Sequence, residues 1–143
     1  MDRLDLLFET FSLRRQVEGL KPDAQGVYLL DIDGLTIRCF EKFELIHLVF
    51  SLGKMPDTAS EQYIQHLLKY ALARMQKSRC ALVLTDDDEI QLFDRISANA
   101  SDHEFEEEVE QFVNVSQQYE EFMRREQGTA ARQKSNIMME IRP

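Results

Sequence analysis

The chain has 143 residues, 43% of them apolar and 30% charged, which suffices for one domain around one core. Its 26 Asp and Glu against 17 Lys and Arg leave a net charge of −9, which excludes the basic footprint a nucleic-acid binder needs. No apolar run approaches the roughly 20 residues that cross a bilayer, and the opening MDRLDLLFETF lacks the basic n-region and cleavage site of a signal peptide.

The first element is a helix over residues 2 to about 17. Leu4, Leu7, Phe8 and Phe11 recur at i, i+3, i+4, i+7 and share one face. Asp2 can cap its start, and Asp5 suits the positive end of the helix dipole. Leu6, Leu13 and Val17 lie off that stripe, so the helix is expected to make a second contact. GLKPDAQG, 19–26, then breaks the chain with two glycines and a proline.

Residues 27–32 and 35–40 alternate apolar and polar around Asp33-Gly34, the strongest short hairpin signal. A two-residue turn sets Ile32 opposite Leu35, Leu30 opposite Ile37 and Tyr28 opposite Cys39, and that face is entirely apolar. The other face pairs Asp31 with Thr36, Leu29 with Arg38 and Val27 with Phe40, and it is mixed. A slip of one residue would exchange the two faces, so the apolar set fixes the register.

FELIHLVFSL, 43–52, reads as a third strand, apolar on both sides as a central strand is, and ended by Gly53 and Pro56. Thr58 and Glu61 form a capping box for a helix that runs to about Lys77. Its broad stripe holds Tyr63, Ile64, Leu67, Leu68, Ala71, Leu72 and Met75. Residues 79–85 and 89–96 form a second hairpin, turning at 86–88. Ser101 and Glu104 cap a last helix, predicted to end near Glu126, with five acidic residues in its first turns. From Gly128 no pattern continues, and residues 127–143 are expected to be a flexible tail in which IMMEI, 137–141, can dock. The fold class is therefore α+β: one domain over 1–126, ordered α-β-β-β-α-β-β-α, with a twisted antiparallel sheet packed by helices.

Two acidic motifs invite a catalytic reading. DIDG, 31–34, resembles the opening motif of haloacid-dehalogenase-type phosphatases, which would make Asp31 a nucleophile and Asp33 an acid/base beside magnesium. That chemistry needs the chain to leave the motif into a crossover helix, whereas LTIRCF turns straight back as a strand. TDDDE, 85–89, lacks the EF-hand ligand pattern and reads as a solvated turn. His47, His66 and His103 fall in separate elements, Cys39 and Cys80 lie in apolar runs without CxxC, and no phosphate-binding glycine loop occurs. Neither catalysis, nor a metal, nor a cofactor is expected, and free buried thiols suit a reducing cytoplasm. What remains is more apolar surface than one monomer buries well, which points to protein interfaces.

The helix MDRLDLLFETF, the hairpin GVYLLDIDGLTIRCF, the strand FELIHLVFSLG, the helix from Ser60, the hairpin CALVLTDDDEIQLF and the acidic last helix together resemble the Tir-chaperone-like class I chaperones of type III secretion systems. The tail is longer and more basic than that pattern requires. The resemblance implies a small acidic cytosolic dimer that holds the N-terminal segment of a secreted effector extended, without ATP. It implies a client surface on the first helix and the mixed hairpin face, at Leu6, Leu13, Val27, Leu29 and Phe40. It implies dimerisation, with itself or a related small chaperone, through Tyr63, Leu67, Tyr70, Ala71 and Arg74. No nucleic acid or membrane partner is implied. The other reading of an acidic binder is an immunity or inhibitor protein that blocks a folded basic enzyme.

Overall fold

The computed structural model describes the backbone of residues 3–15, 20–57 and 60–140, without the side chains of Arg15 and residues 129–140. Asp2, Val17 and Thr58 therefore lie outside the described residues, as do the side chains of the 137–141 run. In chain order the elements are α1 (Arg3–Arg15), β1 (Tyr28–Ile32), β2 (Leu35–Lys42), β3 (Leu45–Lys54), α2 (Glu61–Met75), β4 (Ala81–Leu84), β5 (Glu89–Ser97) and α3 (Asp102–Glu140). The strands form one antiparallel sheet in the order β1-β2-β3-β5-β4, with β3 at its centre.

The first hairpin takes the register its apolar face dictates: Tyr28 opposite Cys39, Leu30 opposite Ile37, Ile32 opposite Leu35. Val27 lies just before β1, so its pairing with Phe40 is not made. Asp33 and Gly34 turn with φ of 51° and 80°, the doubly left-handed geometry that matches strand twist.

A second tight turn replaces the expected start of the third strand. Phe43 and Glu44 adopt φ of 54° and 61°, and β3 begins at Leu45. Each non-glycine residue so placed costs about 1–2 kcal/mol, and Phe-Glu holds none of the residues that mark a turn in sequence. The long apolar strands on either side enforce it. Gly53 does not end β3; at φ 97° it shifts the β3–β5 register between Ser51 and Gly53, and the strand continues to Lys54.

The helices cover one face of the sheet. Leu30, Ile37, Cys39, Ile46, Leu48 and Leu92 point into that core and meet Leu7 and Phe8 of α1 and Phe105, Phe112 and Tyr119 of α3. Phe8 stacks on Tyr28 with centroids 4.3 Å apart and meets the Phe105 ring edge-on at 5.4 Å. At about 1.5–3 kcal/mol per large apolar side chain, this layer dominates stability. Arg3 pins α1 in place, donating through Nε and Nη2 to the Ala98 and Ala100 carbonyls at 3.3 and 2.7 Å.

Ser60 caps α2, its hydroxyl accepting from the Tyr63 amide at 3.1 Å. Ser101 caps α3 as its sequence predicts, accepting from the Glu104 amide at 3.1 Å. The α3 backbone then runs past Glu126 to Glu140. Gly128 costs roughly 1 kcal/mol inside a helix, and the good helix formers after it (Ala130, Ala131, Arg132, Gln133, Lys134) offset that.

Candidate protein-binding surfaces

The two acidic motifs do not converge. The 33–34 turn joins β1 to β2 and the 86–88 turn joins β4 to β5, at the same end of the sheet. Three strand spacings separate their centres, about 14 Å at about 4.8 Å per strand, too far to share a metal. Asp31 accepts instead from Thr36 Oγ1 across the hairpin at 2.8 Å. Asp88 closes the other turn at φ 60°, its amide donating to the Thr85 carbonyl at 3.0 Å. His66 pairs with Glu126 at 3.1 Å and His103 with Glu107 at 3.0 Å, on separate stretches of surface. Among the described residues no three His, Cys, Asp or Glu side chains gather as metal ligands.

Burial pushes the Cys39 thiol far up and the Cys80 thiol up to about 12, so neither offers a reactive thiolate near neutrality. One buried titratable group belongs to no motif. Asp94 lies on the core face of β5 between Leu92 and Ile96, and only 3% of it is exposed. Burial raises its carboxyl to about 6, assisted by the Glu108 carboxylate and opposed by the Arg95 amide, which donates to Oδ1 at 2.8 Å, and by Arg79. The signal was present in the strand alternation, which sets residue 94 in line with 92 and 96.

The residues nominated for a client fall on the solvent side. Leu6 is 44% exposed, Leu13 77% and Leu29 53%; Val27 and Phe40 are half-buried. Leu29 and Phe40 lie on the face of the sheet that the helices leave open. Between α1, the first hairpin turn and α3 runs a cleft of about 260 Å³ floored by Phe11, Ile32, Val109 and Val113 and rimmed by Asp33.

The residues nominated for a dimer contact divide. Tyr63, Leu67 and Ala71 are buried within the chain, Tyr63 and Leu67 against Ile90 and Met123. Tyr70 is half-buried, stacked on Phe122 at 4.1 Å, with the Arg74 guanidinium 5.0 Å from its centroid. The exposed apolar arc of α2 is Ile64, Leu68, Leu72 and Met75, one residue along from the buried set. The broad stripe thus divides into a buried half and an exposed half, and its spacing alone does not say which half faces the core. Beside α2, the edge strand β4 leaves Val83 and Leu84 exposed as well.

A sheet clad on one side only, with apolar residues displayed on α1, α2, β1 and β4, defines a protein-binding module. The chain belongs to the Tir chaperone protein (CesT) family, whose model matches residues 7–120. Its fold is similar to that in the HopA1–SchA chaperone–effector complex, at 19% identity and a TM-score of 0.65, over 85% of this chain and 98% of the other. It is also similar to the ExsC–ExsE complex, at 16% identity and a TM-score of 0.69, over 86% and 97%. The Yersinia pestis type III secretion chaperone SycH, in complex with a fragment of YscM2, shares the fold at 17% identity and a TM-score of 0.58, over 79% and 96%. No curated protein matches the chain.

Proposed function

We propose that this protein is a non-catalytic, cytoplasmic chaperone that binds the N-terminal segment of a type III secreted effector and keeps it extended. Family membership and the fold shared with chaperone–effector complexes support this reading. The observation that carries it within the chain is the separation of exposed apolar residues into two sets. Leu6 and Leu13 on the outer side of α1, with Leu29 on the open face of the sheet, make up the first, and the outer arc of α2 with β4 makes up the second.

The second set serves self-association, or pairing with a related small chaperone. A helix face of Ile64, Leu68, Leu72 and Met75 beside an unpaired strand edge suits an isologous contact, in which each residue meets its symmetry mate's surroundings. The first set serves the client. An extended segment lays alternate side chains against apolar surface, and it must bury much of it to offset the entropy of its own ordering. A dimer doubles that surface and lets one client touch both copies.

The test is copurification from the native host with mapping of the client segment protected from protease. A chaperone protects an extended N-terminal stretch that gains no globular structure. A folded, basic partner bound with strongly salt-dependent on-rate would instead make the protein an inhibitor.

A further inference from the structure

The open face of the sheet is charged oppositely to the molecule that bears it. Register places Arg38, Phe40 and Lys42 of β2, His47 of β3, and Phe93 and Arg95 of β5 on this face. Phe40 stands opposite His47, and His47 opposite Arg95. Their rings form a continuous layer: Phe40 stacks on His47 at 5.0 Å, and His47 tilts toward Phe93 at 5.4 Å. His47 is braced from below the layer by the Lys42 carbonyl, 3.2 Å from Nε2.

No salt bridge ties down the cations around these rings, although Lys42 Nζ lies 5.3 Å from the Phe43 ring centroid, and Gln91, with help from Arg38, holds the Glu89 carboxyl below its usual range. Among the described residues Arg38, Lys42 and Arg95 form no ion pair with any carboxylate. The acidic side chains of the face, Asp31 and Glu89, lie at its opposite end, where Thr36 and Gln91 donate to them. Counting Arg38, Lys42, Lys54 and Arg95 against Asp31 and Glu89, the face carries a surplus of two positive charges on a chain of net charge −9.

We propose that this face receives an acidic, aromatic- or aliphatic-rich extended segment of the client, a proposal that rests on the chaperone reading above. The rest of the chain is acidic on balance, while Arg38, Lys42 and Arg95 attract the segment's carboxylates beside half-buried rings that can cover its apolar side chains. Complementary charge selects partner and orientation, and the ring layer supplies the buried apolar area. A polyphosphate chain would suffer the repulsion of the whole molecule with no compensating apolar burial. An acidic peptide gains from both terms.

The probe is a fluorescein-labelled 12-residue peptide of alternating Glu with Phe and Val, titrated onto the full-length protein by anisotropy at low and high salt. Binding is expected to weaken with salt, and the Arg38→Glu/Arg95→Glu double variant to bind about tenfold more weakly, as two exposed ion pairs lost and reversed imply. The same peptide with Lys in place of Glu is expected to prefer the double variant. Circular dichroism melts check folding, and Arg38→Gln/Arg95→Gln repeats the comparison without reversed charge. Equal affinity of wild type and variants for the Glu peptide, or displacement of that peptide by a single-stranded oligonucleotide, would overturn the assignment. Should the double variant still protect the native client as wild type does, the acidic-segment assignment fails and the chaperone reading stands. Should wild type protect no client segment, both fall.

Discussion

The two faces of this sheet are made of the same strands yet are used in opposite ways. On the inner face, Leu30, Ile37, Leu48 and Leu92 are buried to within 1% by α1 and α3. On the outer face, a residue away in each strand, Leu29 is half exposed and Phe40, His47 and Phe93 are half-buried among unpaired cations. Strand periodicity of two permits this division at no cost in backbone geometry. The lesson is that the side chains that hold the fold and those left available to a partner sit on separate sides of one element, so each set is open to change without the other.

The sharpest test is a pair of equivalent insults on opposite faces. Ile37→Asp buries an unpaired charge and is expected to cost about 4 kcal/mol or more, enough to unfold a marginal domain. Leu29→Asp should leave the denaturant midpoint within about 0.5 kcal/mol of wild type while weakening client capture. A folded Ile37→Asp protein, or an unfolded Leu29→Asp one, would erase the distinction between the faces.

The same contrast runs around α2. Leu67→Asp should unfold the chain, since Leu67 lies in the core, whereas Leu68→Asp should give folded monomers by sedimentation. A dimeric Leu68→Asp protein would move the self-association surface elsewhere.

Asp94 is the exception on the inner face, and it offers a subtler probe. Its carboxyl is raised in the fold, so the fold binds a proton that the unfolded chain releases. Stability from this group is full below about pH 4 and is lost as pH rises through about 6. Asp94→Asn keeps the acceptor for the Arg95 amide and removes the buried charge. Urea midpoints should show it more stable than wild type by about 2 kcal/mol at pH 7.5, with the gap closing by pH 4.

The smallest expected effect is at the second hairpin turn. Phe43→Asn with Glu44→Gly supplies the residues that left-handed turns favour and should raise stability by about 1 kcal/mol without touching either face.

The sequence carried more of this architecture than of its interfaces. The first hairpin was legible to the residue because Asp33-Gly34 names its turn and the alternation names its faces. The turn between β2 and β3 was not, because Phe-Glu carries no turn signal and only the pairing of β2 with β3 imposes it. The α2 cap lies at Ser60 in the structure, close to the Thr58 that the capping-box spacing favoured. The end of α3 was missed because helix propensity continues after the apolar stripe stops. Leu6, Leu13 and Leu29, nominated for a client, are exposed as their place off the core-facing sets predicts. Which half of the α2 stripe is buried was not legible, because a buried and an exposed apolar arc share the same helical period. Asp94 belongs to no motif, because its peculiarity is a lone carboxylate at an apolar position of the strand alternation.

Both borders of the sheet are short: β1 spans five residues and β4 four. Brevity at the rims limits how far a foreign strand can zip onto this one, and Asp31 adds charge to one of them. Rims this short disfavour open-ended stacking of one sheet onto the next, so any joining of copies is steered toward a closed pair instead of a fibre.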